Sequence, residues 1–122
     1  SQDYVRAEPS ATGSGLREEM RKRGHTEAYI IKADGQFFGK VSIYEVIEAA
    51  DSSINDFVDT RPLALYSHDS LSEAMIKVSQ FVGESLPVVD AETGQLHGSL
   101  AEGELFQAVI DVQNQARGFE RT

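Results

Sequence analysis

The sequence predicts an α/β fold, α+β in its layering, in which two copies of one β-α-β-β-α unit pack as a pseudo-twofold pair. Three observations predict it. The run Gly35-Gln36-Phe37-Phe38-Gly39-Lys40-Val41-Ser42-Ile43-Tyr44-Glu45-Val46-Ile47 returns as Gly94-Gln95-Leu96-His97-Gly98-Ser99-Leu100-Ala101-Glu102-Gly103-Glu104-Leu105-Phe106. An apolar strand precedes each run, Ala28-Tyr29-Ile30-Ile31 in one copy and Leu86-Pro87-Val88-Val89 in the other. Before each strand lies a helix with Leu and Met one turn apart, Leu16/Met20 and Leu71/Met75. An internal repeat of this kind sets the architecture, because each unit leaves an apolar face that its copy must cover.

The elements follow in chain order. Residues 1–15 are polar, with Pro9, Gly13 and Gly15, and read as a loop in which Val5 pairs in a strand. Leu16 to Arg23 is a short helix, and Ala28 to Lys32 an unalternating apolar run suited to a buried strand. Asp34-Gly35 signals a hairpin turn, with Phe37 to Ser42 as the returning strand. Ile43, Val46, Ile47 and Ala50 follow helical spacing. Asp51-Ser52-Ser53 breaks the pattern and marks the internal boundary, followed by a helical turn at Ile54 to Val58 and a strand at Leu63 to Tyr66. Ser70 and Glu73 have capping-box spacing at the head of a helix whose stripe is Leu71, Ala74, Met75, Val78 and Val82. Gly83 ends that helix, Leu86 to Asp90 and Gln95 to Leu100 are strands, and Leu105, Ala108, Val109 and Val112 mark the last helix. A strand–helix–strand unit closes with a right-handed parallel crossover, and the tight turn adds an antiparallel neighbour.

Bulk properties narrow the function. The 122 residues form one domain or two small units sharing a core, since half the chain would bury too little apolar surface alone. Eleven Lys and Arg against 20 Asp and Glu leave a net charge of -9, which argues against a nucleic-acid partner. The acidity is uneven: residues 1–56 hold seven basic and ten acidic groups, and residues 57–122 hold four and ten. Without cysteine there is no disulfide framework and no thiolate chemistry. No apolar run approaches the roughly 18 residues a membrane span needs, and no signal peptide opens the chain. A first residue of Ser rather than Met reads as a processed polypeptide or a piece of a longer one.

At this point the residues resemble a known family. Leu71-Ser72-Glu73-Ala74-Met75, Leu86-Pro87-Val88-Val89-Asp90, Gly94-Gln95-Leu96-His97-Gly98 and Glu104-Leu105-Phe106 resemble a CBS (cystathionine-β-synthase) motif. The first copy resembles a shortened, degenerate version, and the two in tandem resemble a CBS pair, or Bateman module, from about Val5 to about Gln115. The division expected is motif 1 over residues 1–53, motif 2 over 54–117 and a tail over 118–122. The resemblance implies two motifs packed through their sheets with two clefts between them. It also implies an adenosine-containing ligand such as AMP, ADP or ATP, control of an attached enzyme, transporter or channel, and no catalysis by the module itself. Arg61-Pro62-Leu63, the helix from Leu71 to Met75 and the run Leu105 to Gln115 resemble, more narrowly, the cytosolic C-terminal region of prokaryotic ClC-type chloride channels and exchangers. That likeness implies an attached transmembrane domain, a place on the cytoplasmic face of a membrane, and a homodimer formed through the CBS helices.

The family pattern also names candidate ligand residues. In nucleotide-binding motifs the second glycine is followed by two residues and then Thr or Ser, with Asp three further on. The carboxylate opens a helix and can accept both ribose hydroxyls. The hydroxyl residue sits beside free backbone N–H groups that favour anions. The first copy matches at Ser42, with Glu45 for Asp, and the second has Ala101 and Glu104. Thr26, in the segment His25-Thr26-Glu27, and Tyr29 line the same cleft in the family fold. Each has a plainer reading. Glu45 and Glu104 also suit the first turn of a helix as dipole partners, and Tyr29 suits the core. Arg17, Arg21, Lys22 and Arg23 form the one basic cluster, either a phosphate or lipid contact or a solvated helix face. His25, His68 and His97 lack metal-ligand spacing, so no metal is expected. No nucleophile is paired with a base, so no enzyme is expected. Two functions follow: a regulatory sensor of an adenine nucleotide, or a ligand-independent dimerisation module using the helices Ile43–Ala50 and Glu102–Gln115.

Overall fold

A computed structural model describes residues 1–120 of the chain. The first unit contains β1 (Val5–Ala7), α1 (Gly13–Arg23), β2 (Glu27–Ile31), β3 (Phe37–Ser42) and α2 (Ile43–Ala49), followed by a 3₁₀ turn at Ile54–Phe57. The second contains β4 (Leu65–Tyr66), α3 (Leu71–Gln80), β5 (Ser85–Val89), β6 (Leu96–Ala101) and α4 (Glu102–Glu120). Each makes its own three-stranded sheet, in the order β1-β2-β3 and β4-β5-β6. The first two strands of each sheet are parallel across a helix, and the last two are an antiparallel hairpin. The repeat extends to the irregularities: the hairpin register shifts between Ile30 and Ile31 and again between Val88 and Val89.

The two units exchange backbone at their seam. Ser1 and Ser99 share two hydrogen bonds, at 3.0 and 2.9 Å, and Asp59 and Lys40 share the same pair at 2.9 and 3.0 Å. The segment leading into each sheet therefore edges the outer strand of the other, as a twofold axis requires. The second glycine of each repeat lies at this exchange. A Cβ on Gly39 would stand 2.3 Å from the Asp59 carbonyl oxygen, and one on Gly98 would stand 2.7 Å from that of Ser1. The first glycines, Gly35 and Gly94, have φ of 89° and 75°, the left-handed region that hairpin turns use. Their turns meet across the axis, where the Phe37 N–H donates to the Gly94 carbonyl at 2.9 Å and Gln95 Nε2 to that of Asp34 at 3.0 Å.

Several boundaries depart from the sequence reading. α1 starts at Gly13 rather than Leu16, because Thr12 Oγ1 caps it by accepting the Gly15 N–H at 3.1 Å. β4 is confined to Leu65 and Tyr66. α3 has the expected capping box, with Ser70 and Glu73 each accepting the other's N–H at 3.1 Å, but it stops at Gln80. Val82 therefore lies beyond the helix and is 92% exposed, and Leu71 at the helix head is 62% exposed, so the expected stripe is buried only in part. α4 runs on to Glu120, through residues read as tail; residues 121 and 122 of that tail lie outside the described residues.

The copy read as degenerate has the larger core. Val5, Leu16, Met20, Ile30, Val41, Val46 and Ile54 are buried together there, whereas Leu65, Leu86 and Leu105 centre the smaller core of the second unit. Gly13 permits this. A Cβ there would stand 2.3 Å from the Val46 carbonyl, so α1 lies directly on the backbone of α2. α3 has no fully buried residue, and a groove of about 440 Å³ between α3 and α4 is lined by Val78, Phe81, Val82, Leu105 and Phe106. A third cluster, Tyr4, Tyr29 and Ile31 with Phe37 and Leu96 packed on it, sits at the seam and joins the two sheets.

Candidate functional site

Along the seam, the head of β2 faces the head of β5, and the two carry a crossed pair of carboxylates. Glu84 Oε2 accepts the N–H groups of Thr26 and Glu27, at 2.6 and 2.7 Å, and the Thr26 hydroxyl at 3.0 Å. Glu27 Oε1 accepts the Glu84 N–H at 2.7 Å in return. Burial pushes the Glu84 carboxyl up, but the bonds from Thr26, His25 and Glu27 together outweigh it and hold the group below the ordinary carboxylate range. The result is an ionised latch between the two motifs. His25 extends it, with Nδ1 3.2 Å from Glu84 and Nε2 3.1 Å from Asp3.

On one side of the latch is a continuous cleft of about 240 Å³, walled by both motifs. Asp3, Tyr4, His25, Glu27 and Tyr29 come from the first; Glu84, Ser85, Ala101 and Glu104 come from the second. Tyr29 is 1% exposed, stacks on Tyr4 with ring centres 4.9 Å apart, and shares a hydrogen bond with Ser85. Burial pushes its hydroxyl up to about 12, so it stays protonated at neutral pH. Glu104 opens α4 and accepts the Ala101 N–H at 3.1 Å through Oε1, while Oε2 lies 3.9 Å from the Ser1 amino nitrogen. Four carboxylate residues line this cleft beside Ser1 and His25, and no Lys or Arg lines it among the described residues.

On the other side, the equivalent space is broken into two shallow hollows. One, of about 290 Å³, is lined by Lys40, Asp59, Pro62 and Phe81, and the other, of about 310 Å³, by Thr26, Ser42, Tyr44 and Gly83; Glu27 borders both. Lys40 Nζ stands between the motifs, 3.0 Å from Glu27 Oε1 and donating to the Ser85 carbonyl at 2.8 Å.

The sequence-predicted residues are thus divided. Tyr29, Ala101 and Glu104 line the continuous cleft, and Thr26 and Ser42 the broken one. The Ser42–Glu45 pair forms a capping box at the head of α2: Ser42 Oγ accepts the Glu45 N–H at 3.4 Å, and Glu45 Oε1 accepts that of Ser42 at 3.0 Å. Glu45 Oε1 thus meets the backbone at the start of its own helix, as Glu104 Oε1 does at Ala101. Sequence reasoning had Glu27 only as part of the segment His25-Thr26-Glu27, and it missed Glu84 and Lys40; all three act across the seam. For Glu27 and Glu84 the one available signal was a charge at the head of a buried strand. Of the basic cluster, Arg21 pairs with Glu18 at 2.7 Å and Arg23 donates to the Tyr4 carbonyl at 3.1 Å. His97 lies beside Asp90 at 3.3 Å on an exposed strand face.

No protein-family model matches the chain, and no curated protein does. Solved structures match it over nearly its whole length. A CBS domain pair/ACT domain protein from Thermotoga maritima is 26% identical, with a TM-score of 0.78 over 92% of this chain and 93% of that one. The CBS pair domain of a putative Mg²⁺ transporter from Shewanella oneidensis has a TM-score of 0.80 at 16% identity, covering 93% of this chain and 68% of that one. CBSX2 in complex with AMP has a TM-score of 0.72 at 21% identity, over 91% and 90% of the two chains, and CBSX2 is an Arabidopsis thaliana protein. The fold is that of a CBS-domain pair, as the resemblance implied.

Proposed function

We propose that this chain is the regulatory CBS-pair module of a membrane transport protein, with a ClC-type chloride channel or exchanger as its host and an adenosine-containing ligand as its signal. One observation carries the reading: a continuous cleft at the seam whose walls come from both motifs. A ligand that bridges two units can bias their relative arrangement, and it shifts the host's equilibrium only by the difference in its affinity for the two arrangements, typically 1–3 kcal/mol. CBSX2 with AMP supplies the ligand class, and the Shewanella transporter domain supports a transport host. The ClC assignment rests on the resemblance at Arg61-Pro62-Leu63 and Leu105 to Gln115. Among the described residues no helix is long and apolar enough to cross a membrane, so the host's spans and the cytoplasmic placement belong to the proposed attached domain. The module senses and is not itself an enzyme.

The cleft's charge orders the ligands. Glu27 is paired with Lys40 and Asp3 with Arg23, so the repulsion of phosphates comes chiefly from Glu84 and Glu104, across a few ångströms of partly excluded water. Adenosine therefore binds more tightly than AMP, and AMP more tightly than ATP, each step at least about tenfold at low salt and less at high salt. Calorimetric titration of the three ligands tests this. Binding led by ATP, or no heat and no thermal shift up to millimolar adenosine, overturns it. Glu104→Ala removes the ribose acceptor and weakens adenosine by roughly ten- to a hundredfold, the worth of a hydrogen bond to a charged group.

A second reading, a ligand-independent homodimer, is favoured by one feature. Ile47 on α2 and Phe106 on α4 occupy the same position in the two repeats and are 46% and 68% exposed, with Tyr44 beside them at 80%. Paired apolar positions on both outer helices suit contact with a second copy. Sedimentation of the chain gives a dimer that the double variant Ile47→Asp/Phe106→Asp dissociates; a wild-type monomer at high concentration rules the reading out.

A further inference from the structure

The two clefts descend from one repeat yet are unequal, and the cause is two positions. Lys40 and Ser99 each follow the second glycine of their run, so they are equivalent. Glu27 and Ser85 are equivalent too, since Glu27 lies opposite Ser42 in one hairpin and Ser85 opposite Ala101 in the other. The continuous cleft thus has Ser85 in its wall, with Ser99 buried, where the broken one has a long ion pair. Lys40 spans the gap with its ammonium, which meets Glu27 Oε1 of its own motif and the Ser85 carbonyl of the other and lies 5.3 Å from the Phe81 ring centre. Only 11% of its side chain is exposed.

We infer that Lys40 is a built-in occupant of the second cleft: its ammonium bridges the motifs where a ligand would, so the module takes one ligand per chain. The inference rests on the proposed reading of the seam as a ligand site. The ammonium is held by a carboxylate, a carbonyl and an aromatic face, and swinging out would leave the half-buried Glu27 carboxylate without its cation, with the Glu84 N–H still bonded to it.

Two measurements test it, the first without any ligand. Under brief reductive methylation of the intact chain followed by peptide mass mapping, Lys40 reacts at least roughly tenfold more slowly than Lys22 and Lys32; equal rates overturn the proposal. In calorimetry with adenosine, the wild-type chain binds one equivalent and Lys40→Ser binds two. Two equivalents on the wild type, or one on a folded Lys40→Ser chain, overturn it. Should Lys40→Ser unfold with Glu27 left bare, the double variant Lys40→Ser/Glu27→Gln removes the bare charge while keeping an acceptor for the Glu84 N–H, and the same counts decide. Absence of any adenosine heat defeats the sensor reading while the methylation result still judges the bridge.

Discussion

Glu84→Ala lowers the melting temperature by roughly 10 °C at neutral pH, a loss of about 2–3 kcal/mol. The carboxylate takes the Thr26 and Glu27 N–H groups and the Thr26 hydroxyl, all on the other motif, and removing it strands those donors at a half-buried seam. Water partly replaces the lost acceptor, which keeps the cost below that of a fully buried pair. The loss depends on pH with a definite sign. Glu84 is held below its ordinary value of 4.5 in the folded chain, so its stabilisation is complete above that value and disappears as the pH falls through the lowered folded one. Wild type and variant should therefore differ most in thermal melts near pH 7 and converge at a pH below the lowered folded value. An equal loss at both pH values would mean that packing rather than charge is at work, and no loss at either would remove the latch.

Gly39→Ala should be still more costly, at about 3 kcal/mol or more. The added methyl would meet the Asp59 carbonyl oxygen at 2.3 Å and Val58 Cγ1 at 2.5 Å, and Asp59 is the residue whose backbone is bonded to Lys40. Neither obstacle is the free end of a flexible side chain, so the strands must part. Gly98→Ala is the matched comparison. Its nearest obstacle is 2.7 Å away and the next is the side-chain amide of Gln2 at 3.1 Å, so its loss should be about half as large. Urea unfolding of the two variants measures both. A Gly39→Ala chain as stable as wild type would show that the seam has slack, and a reversed order would show that the two exchanges are not governed by this contact.

Much of the fold was legible, and the reason is local. Asp34-Gly35 and Thr93-Gly94 need positive φ at the glycine and so announce hairpins. Ser70 and Glu73 announce a helix start because their bonds span a single turn. The site was legible only in part. Ser42 and Glu45 have the spacing of a ligand motif and of a capping box alike, and three residues of sequence cannot distinguish ribose from the helix's own N–H groups. Glu84 and Glu27 lie 57 residues apart, and neither has a neighbour that signals its partner.

The sequence by itself determined the repeat, its strand and helix order and the turns, because each depends on residues within a few positions of one another. Only the tertiary structure decided which cleft is continuous. Lys40 and Ser99 read alike as polar strand residues until the two sheets close, and then the length of one side chain and the charge at its end divide one space and leave the other whole.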